Sequence, residues 1–436
     1  MSNDFLPIRG YDHVEFYVGN AKQAAHFYDK TFGFRPVAKR GLETGSRNVA
    51  SYVMEQGNVR FVFTTAYTPD HEVARHCALH GDGVKAIALE VRDVEASLRE
   101  TKARGATVLR PATPQEDEHG TYVTGDIKYA GDTIFRFVDR GNYRGPFAPG
   151  YRPIEAYGSA PVGLAAVDHV VTNVHLGEMN FWVKWFEEVL GFRNLCGFTD
   201  KDISTEYSAL MSKVMENGSG KCKFPINEPA EGKKKSQIEE YLDYYYGPGV
   251  QHIAMNTANI YETVSELRRR DIDFLRVPDT YYAYMRERVG DVGEDWAKLQ
   301  ELGILLDKDD DGYLLQIFTA PVQDRPTLKT ATCSRSSPPR CRTAPRCSSR
   351  SSSATAAAAS ASATSRPCSS ASRRNSAPAE TCKWTGERRR MKSPMWVPAS
   401  MRMSGFHALT PKAGERASRT IANQHANAAA ARYLPT

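Results

Sequence analysis

Long apolar runs are scarce in this chain. None reaches the roughly 20 consecutive apolar positions that a membrane-spanning helix needs, and the N-terminal Met-Ser-Asn-Asp-Phe-Leu-Pro has neither the basic nor the apolar region of a secretory signal. These absences predict a cytoplasmic protein with no membrane partner. Cysteine is also sparse: of eight, only Cys77, Cys196 and Cys222 precede residue 329, and they show no paired spacing. That pattern fits a reducing compartment without disulfides. No Ser/His/Asp arrangement signals a protein nucleophile.

What is present divides unevenly. The formal charge of +6 averages two unlike segments. From Lys329 onward there are 19 Lys+Arg against 3 Asp+Glu, a balance of +16, which leaves 38 against 48, or −10, for residues 1–328. The body is therefore acidic, and no nucleic-acid partner is expected for it.

The body repeats itself. Tyr11-Asp-His-Val-Glu-Phe-Tyr-Val18 reads as a strand, and Ala21, Ala24, Ala25, Tyr28 and Phe32 fall at helical spacing before Gly33-Phe34-Arg35. The same order returns as Val167-Asp-His-Val-Val-Thr-Asn-Val174, then a stripe of Trp182, Trp185, Phe186, Val189 and Leu190, then Gly191-Phe192-Arg193. A second landmark repeats too, Gly81-Asp-Gly-Val-Lys-Ala-Ile-Ala88 matching Gly247-Pro-Gly-Val-Gln-His-Ile-Ala254. This is duplication on a domain scale. Between the copies, the proline- and glycine-rich Gly145–Pro153 and Ser159–Pro161 read as a linker.

Each copy alternates strands, helices and glycine turns, which predicts an α+β chain of two modules, each a curled mixed sheet with outer helices. The expected boundaries are 8–145, a linker at 146–162, and 163–328, with 329–436 a basic, low-complexity, disordered tail.

Two strand histidines, His169 and His252, stand in matching places of the second copy and read as half of a metal site. Strand alternation puts Val250, His252 and Ala254 on one face and Gln251 and Ile253 on the other. In the first copy His13 matches His169, but Ala86 stands where His252 would be. That copy is expected to hold no metal, His13 being structural and His26, His71, His76 and His80 surface or helix residues rather than ligands.

Taken in order, Tyr207–Ser212, Lys223-Phe-Pro-Ile-Asn-Glu-Pro229, Gly249-Val-Gln-His252, Pro278–Tyr282 and Leu314–Pro326 closely resemble the 4-hydroxyphenylpyruvate dioxygenase family over roughly residues 8–328. The resemblance implies paired vicinal-oxygen-chelate (glyoxalase/dioxygenase-like) modules and an Fe(II) cofactor held by two histidines and a glutamate. His169 and His252 match the two imidazoles, and Ser212, Asn227, Gln237, Gln251 and Gln316 match the polar lining that orients the substrate. The implied partners are 4-hydroxyphenylpyruvate and dioxygen, and the implied products of this step in tyrosine catabolism are homogentisate and carbon dioxide. A homo-oligomer is expected. The alternatives are a sister enzyme that forms 4-hydroxymandelate and a metal-poor, catalytically dead binding protein.

The chain departs from the family after Leu328. The family continues Phe-Phe-Glu-Ile-Ile-Gln-Arg, with its glutamate the third ligand, whereas this chain continues Lys329-Thr-Ala-Thr-Cys-Ser-Arg335. Plausible GC-rich codons for Tyr313–Leu328, read one nucleotide late, spell Thr332–Cys347 residue for residue. The tail thus reads as a short repeat that has left its frame. Arg388-Arg-Arg390 and the Ser/Ala/Arg/Pro composition would also suit a basic arm for nucleic acid or membranes, but that reading leaves the frame match unexplained. The acidic run Asp307–Asp311 is expected to form a solvated turn between strands rather than to replace the lost carboxylate.

Overall fold

The computed structural model describes residues 4–155, 158–198, 210–229, 235–309, 312–323 and 329–336. Several features singled out in the sequence lie outside the described residues: Tyr207–Ala209, Lys233–Lys234, Asp310–Asp311, Asp324–Leu328 and everything after Ser336. The described residues all fall within one compact unit spanning Met1–Cys347.

The first half runs β1 (Gly10–Tyr17), α1 (Ala21–Lys30), β2 (Arg35–Arg40), β3 (Val49–Gln56), β4 (Val59–Ala66), α2 (Glu72–His80), β5 (Gly83–Glu90), α3 (Val94–Ala103), β6 (Val108–Asp117), β7 (Gly120–Lys128), β8 (Ile134–Asp139) and the short β9 (Arg152–Pro153). The second runs β10 (Leu164–Asn173), α4 (Met179–Leu190), β11 (Arg193–Phe198), β12 (Leu210–Glu216), β13 (Lys223–Pro229), α5 (Gln237–Tyr245), β14 (Gly249–Thr257), α6 (Ile260–Arg269), α7 (Asp279–Val289), α8 (Trp296–Leu302), β15 (Leu305–Asp309), β16 (Gly312–Phe318) and β17 (Lys329–Ser336).

The duplication is complete at the level of topology. One sheet has the order β6-β7-β8-β5-β1-β4-β3-β2-β9 and the other β15-β16-β17-β14-β10-β13-β12-β11. In each, the opening strand pairs parallel to one neighbour and antiparallel to the other. The repeated Gly-Phe-Arg has a local cause. Gly33 and Gly191 follow α1 and α4 at φ of +71° and +68°, the left-handed conformation that stops a helix at little cost only in glycine. Helix starts are equally local: Asn20 and Asn259 accept from the amides of Gln23 and Glu262, and Ser236 forms a capping box with Glu239.

The linker prolines sit where a missing amide hydrogen matters least, since β9 pairs with β2 at the margin of its sheet. The two sheets share one apolar core. Tyr129 and Phe135 of the first half pack against Trp185 and Phe186 of α4, and Phe135 meets Phe224 of β13 edge-on at 5.3 Å. Burying each such ring is worth about 1.5–3 kcal/mol. Tyr11 of β1 adds a polar tie, its hydroxyl donating to the Lys223 carbonyl at 2.7 Å and accepting from the Lys223 amide at 3.1 Å.

The second sheet continues past residue 328. Residues 329–336 form β17, parallel to β14 and antiparallel to β16. The slot between those strands is filled by backbone hydrogen bonds, which do not depend on the side chains that arrive there. β15 and β16 pair as far as Asp309 opposite Gly312, so Asp307–Asp309, expected in a turn, belong to the strand β15, while Asp310 and Asp311 lie outside the described residues.

Candidate metal centre and substrate pocket

The Asp-His pair that recurs in both halves is built on a β-bulge. Along β10 the partners on β14 pass from Met255 opposite Val167 to Ala254 opposite His169, leaving Asp168 as an extra residue. Along β1 the same step leaves Asp12 extra. A bulge turns two successive side chains toward one side, which lets each aspartate reach the next residue's ring. Asp168 Oδ2 lies 2.7 Å from His169 Nδ1, and Asp12 Oδ1 lies 2.6 Å from His13 Nδ1. Burial pushes the Asp168 carboxyl up, but the hydrogen bond from His169 and the Lys223 ammonium together hold it below the usual carboxylate range.

A second bulge orients the second histidine. On β14, His252 stands opposite Val171 and Val250 opposite Thr172, so Gln251 is the extra residue. This corrects the strict alternation expected from sequence. Val250 joins the apolar core with Ile253, and the Gln251 amide oxygen accepts from His252 Nδ1 at 2.6 Å. The two imidazoles sit on neighbouring strands with ring centroids 5.7 Å apart and planes at 76°, and His252 meets Phe318 edge-on at 5.3 Å. With Nδ1–H held on each ring, the ring lone pair lies on Nε2. That is the arrangement in which a metal-ligating histidine has its tautomer and orientation fixed by a neighbour.

Among the described residues, no group of three His/Cys/Asp/Glu donors includes them. Counting from Leu328, the position where the family resemblance implies a glutamate is Ala331, which the register places opposite Ala254, itself opposite His169. Alanine carries no donor atom. Among the described residues, the one group of three His/Cys/Asp/Glu side chains with ligand atoms within 4.8 Å of one another is His76, His80 and Asp132, which lies elsewhere.

The first half shows what has become of the equivalent position there. His13, Ala88 and Arg136 occupy the row that His169, Ala254 and Ala331 occupy in the second, and Ala86 takes the place of His252. Arg136 donates to Glu15 at 2.6 Å and to Asp126 at 2.9 Å. Despite its burial, these carboxylates hold its pKa well above the ordinary guanidinium value. A cavity of about 270 Å³ opens beside it, lined in part by His13, Glu15, Arg110, Tyr122 and Arg136. His13 itself is buried, 5.2 Å from the Phe147 ring.

The expected lining residues are placed as follows. Ser212 of β12 pairs with Asn227 of β13, which pairs with Asn173 of β10. The three form a buried polar row across adjacent strands. Gln316 lies on β16 in the alternating set with Leu314 and Phe318, both of which pack against Ala254 beside His252. Gln251 is committed to His252. Gln237 opens α5 and is exposed, unlike Ser212, Asn227 and Gln251. Asn173 was not expected: it is fully buried and its amide oxygen and nitrogen have no hydrogen-bond partner. Its signal in the sequence is its place four residues after His169, on the same strand face by period two.

His76 and His80 require a partial correction. They lie on α2 as expected of helix residues, but both are buried rather than at the surface. His71 caps α2 by accepting from the Val73 amide, and His26 is exposed on α1.

Comparison with known proteins gives these features a context. The Glyoxalase/Bleomycin resistance protein/Dioxygenase superfamily matches residues 10–143 and 166–317. The 4-hydroxyphenylpyruvate dioxygenase of Yarrowia lipolytica is 45% identical over 343 residues, covering 75% of this chain and 87% of that protein. That of Danio rerio is 48% identical over 329 residues, covering 73% and 83%. Among solved structures, a triple mutant of 4-hydroxymandelate synthase from Streptomyces coelicolor is 28% identical with a TM-score of 0.69, covering 76% of this chain and 94% of that one.

Proposed function

The chain belongs to the 4-hydroxyphenylpyruvate dioxygenase family, and from that premise we propose that its second sheet is a ferrous site for converting 4-hydroxyphenylpyruvate and dioxygen to homogentisate and carbon dioxide. The observation that carries this is the pair His169 and His252 on neighbouring strands, ring centroids 5.7 Å apart, each with Nδ1 bonded to a neighbouring side-chain oxygen. Two neutral-nitrogen donors fit iron; the family's third, anionic donor has no counterpart at Ala331. When bound, the iron supplies a centre at which the oxo acid and dioxygen meet and exchange electrons.

The protein's own part is orientation. Asp168 and Gln251 hold the imidazoles in one tautomer. The Ser212–Asn227–Asn173 row offers a hydroxyl and two amides to the polar ends of the substrate, and Gln316 adds an amide near Phe318. Neutral groups suit this task because no protein nucleophile is required. In the first half, Arg136 and Ala86 replace two donors, so that module, within 8–145, serves as scaffold for the catalytic one at 163–328. A cytoplasmic homo-oligomer is the expected form.

Loss of one anionic ligand costs around 3 kcal/mol, or ~100-fold in metal affinity. The chain with Lys329-Thr-Ala at this point is therefore proposed to be nearly inactive, and a frame-corrected chain continuing Phe-Phe-Glu-Ile-Ile-Gln-Arg after Leu328 to be active. Product analysis of both proteins with 4-hydroxyphenylpyruvate, oxygen and Fe(II) tests this. Homogentisate from the corrected chain alone supports the reading, 4-hydroxymandelate points to the sister activity, and homogentisate at equal rates from both overturns the role given to the third ligand.

A further inference from the structure

A cluster of two imidazoles and a carboxylate, separate from the His169–His252 pair, stands beside Tyr245 of the second half. α2 carries His76 and His80 one turn apart, so both rings project from the same face of the helix. Both are buried, at 4% and 3% exposure. Asp132, from the turn between β7 and β8, approaches them, its Oδ2 lying 3.0 Å from His80 Nε2 and 3.9 Å from His76 Nδ1. The three ligand atoms lie within 4.8 Å of one another. A tetrahedral zinc-class ion with bonds of about 2.0–2.2 Å spaces its donors by roughly 3.3–3.5 Å, within the range these atoms span.

The hydrogen bonding selects between two accounts of the cluster. His80 Nδ1 lies 2.5 Å from the Tyr245 carbonyl, and a carbonyl can only accept, so Nδ1 carries a proton. In a neutral ring, Nε2 then presents a lone pair to the Asp132 carboxylate, an arrangement that needs a positive charge between them. Protonation of Nε2 supplies one for His80 but leaves His76 unexplained. Both ring nitrogens of His76 lack a hydrogen-bond partner in a buried setting, a costly state for an imidazole. A divalent cation shared by both rings and the carboxylate supplies the positive charge and gives His76 a partner for one of its two nitrogens. Lys85 bonds only the Asp132 backbone carbonyl, at 2.8 Å, leaving the carboxylate available.

We propose that His76, His80 and Asp132 bind a late first-row divalent cation of the zinc type, with water completing the coordination. Two neutral imidazoles and one carboxylate match the preferences of that class. All three ligands belong to the first half, and the site adjoins the second through His80. His80 reaches Tyr245, the last residue of α5, whose ring stacks on His80 at 4.4 Å. Tyr245 in turn leads through Gly247 and Gly249 into the strand that bears His252. Metal here braces β14 without contributing to the chemistry.

The test uses the full chain carrying His169→Ala and His252→Ala, so that the other imidazoles cannot contribute, stripped with chelator and titrated with Zn(II) and Co(II) chloride. The expected result is one ion per chain, visible absorption bands of low-symmetry Co(II), and a melting temperature raised by about 3 °C or more and restored by chelator. His76→Asn should weaken binding at least 10-fold. Asp132→Asn, a change on an exposed turn that leaves the fold intact, should weaken it similarly. Absence of stoichiometric binding by a chain that is folded by circular dichroism overturns the proposal in favour of a protonated His80 paired with Asp132. Binding unaffected by both substitutions overturns it as well.

Discussion

Asp168 grips the Nδ1 of His169 at 2.7 Å because a β-bulge turns the two neighbouring side chains to one side. The same device sets Asp12 against His13 in the first half, although there the ring has lost its metal-binding company. The carboxylate beside the histidine thus belongs to the fold, and what distinguishes the two copies is the second imidazole, His252 in one and Ala86 in the other.

Replacing that carboxylate should loosen the metal and little else. Asp168→Asn in the frame-corrected chain is expected to lower Fe(II) affinity 10–100-fold while leaving the circular dichroism spectrum unchanged. Competition with a chromogenic chelator measures it, and an unchanged affinity would show that Asp168 does not position His169.

Asn173 trades stability for function. A buried amide without partners costs about 1–3 kcal/mol, so Asn173→Leu is expected to raise stability to urea by an amount of that order. It should also raise KM for the oxo acid in the corrected chain, since the row with Ser212 and Asn227 loses a member. A variant that gains stability with unaltered KM would remove Asn173 from the substrate pocket.

Restoring a carboxylate at the third position should recover metal. Ala331→Glu places one opposite Ala254 in the register that β17 adopts. Iron retained per chain after desalting is expected to rise 10–100-fold over the unaltered chain. Equal retention would mean that the register of β17 does not reproduce the family's strand.

The buried Asp12 gives the first half an acid-sensitive foundation. Burial pushes its carboxyl up, but hydrogen bonds from His13 and Arg140, the latter at 2.6 and 2.8 Å, hold it well below the usual carboxylate range. Glu15, half-buried, and Asp126, buried, are also lowered, each facing the Arg136 guanidinium. Carboxyls depressed in the folded state contribute stability that is present above their unfolded pKa of about 4 and lost as pH falls below it. Unfolding by urea should therefore become steeply easier below about pH 4. Arg140→Ala leaves Asp12 buried without its main cation and should cost about 3–5 kcal/mol near neutral pH, with a shallower acid dependence because the Asp12 pKa is no longer held down. An unchanged acid limb would assign the sensitivity to other groups.

Much of this was legible in the order of residues. The duplication, the helix after each opening strand and the glycines that stop those helices all follow from short-range chemistry: helical spacing, caps and positive-φ turns act within a few residues. The proposed ligands His169 and His252, and the alanine at position 331, were named from the order of residues as well, because they are a matter of which residue stands where. Tertiary structure alone decided the rest. The extra residues Asp12, Asp168 and Gln251 emerge only when strands are paired, since a bulge is a mismatch between two segments and leaves no mark in either one. Strict alternation therefore placed Gln251 away from His252, whereas pairing brings its amide onto the ring. The His76–His80–Asp132 cluster has the same origin. Two helix positions and a turn some 50 residues away come together only when α2 packs beside the β7–β8 turn.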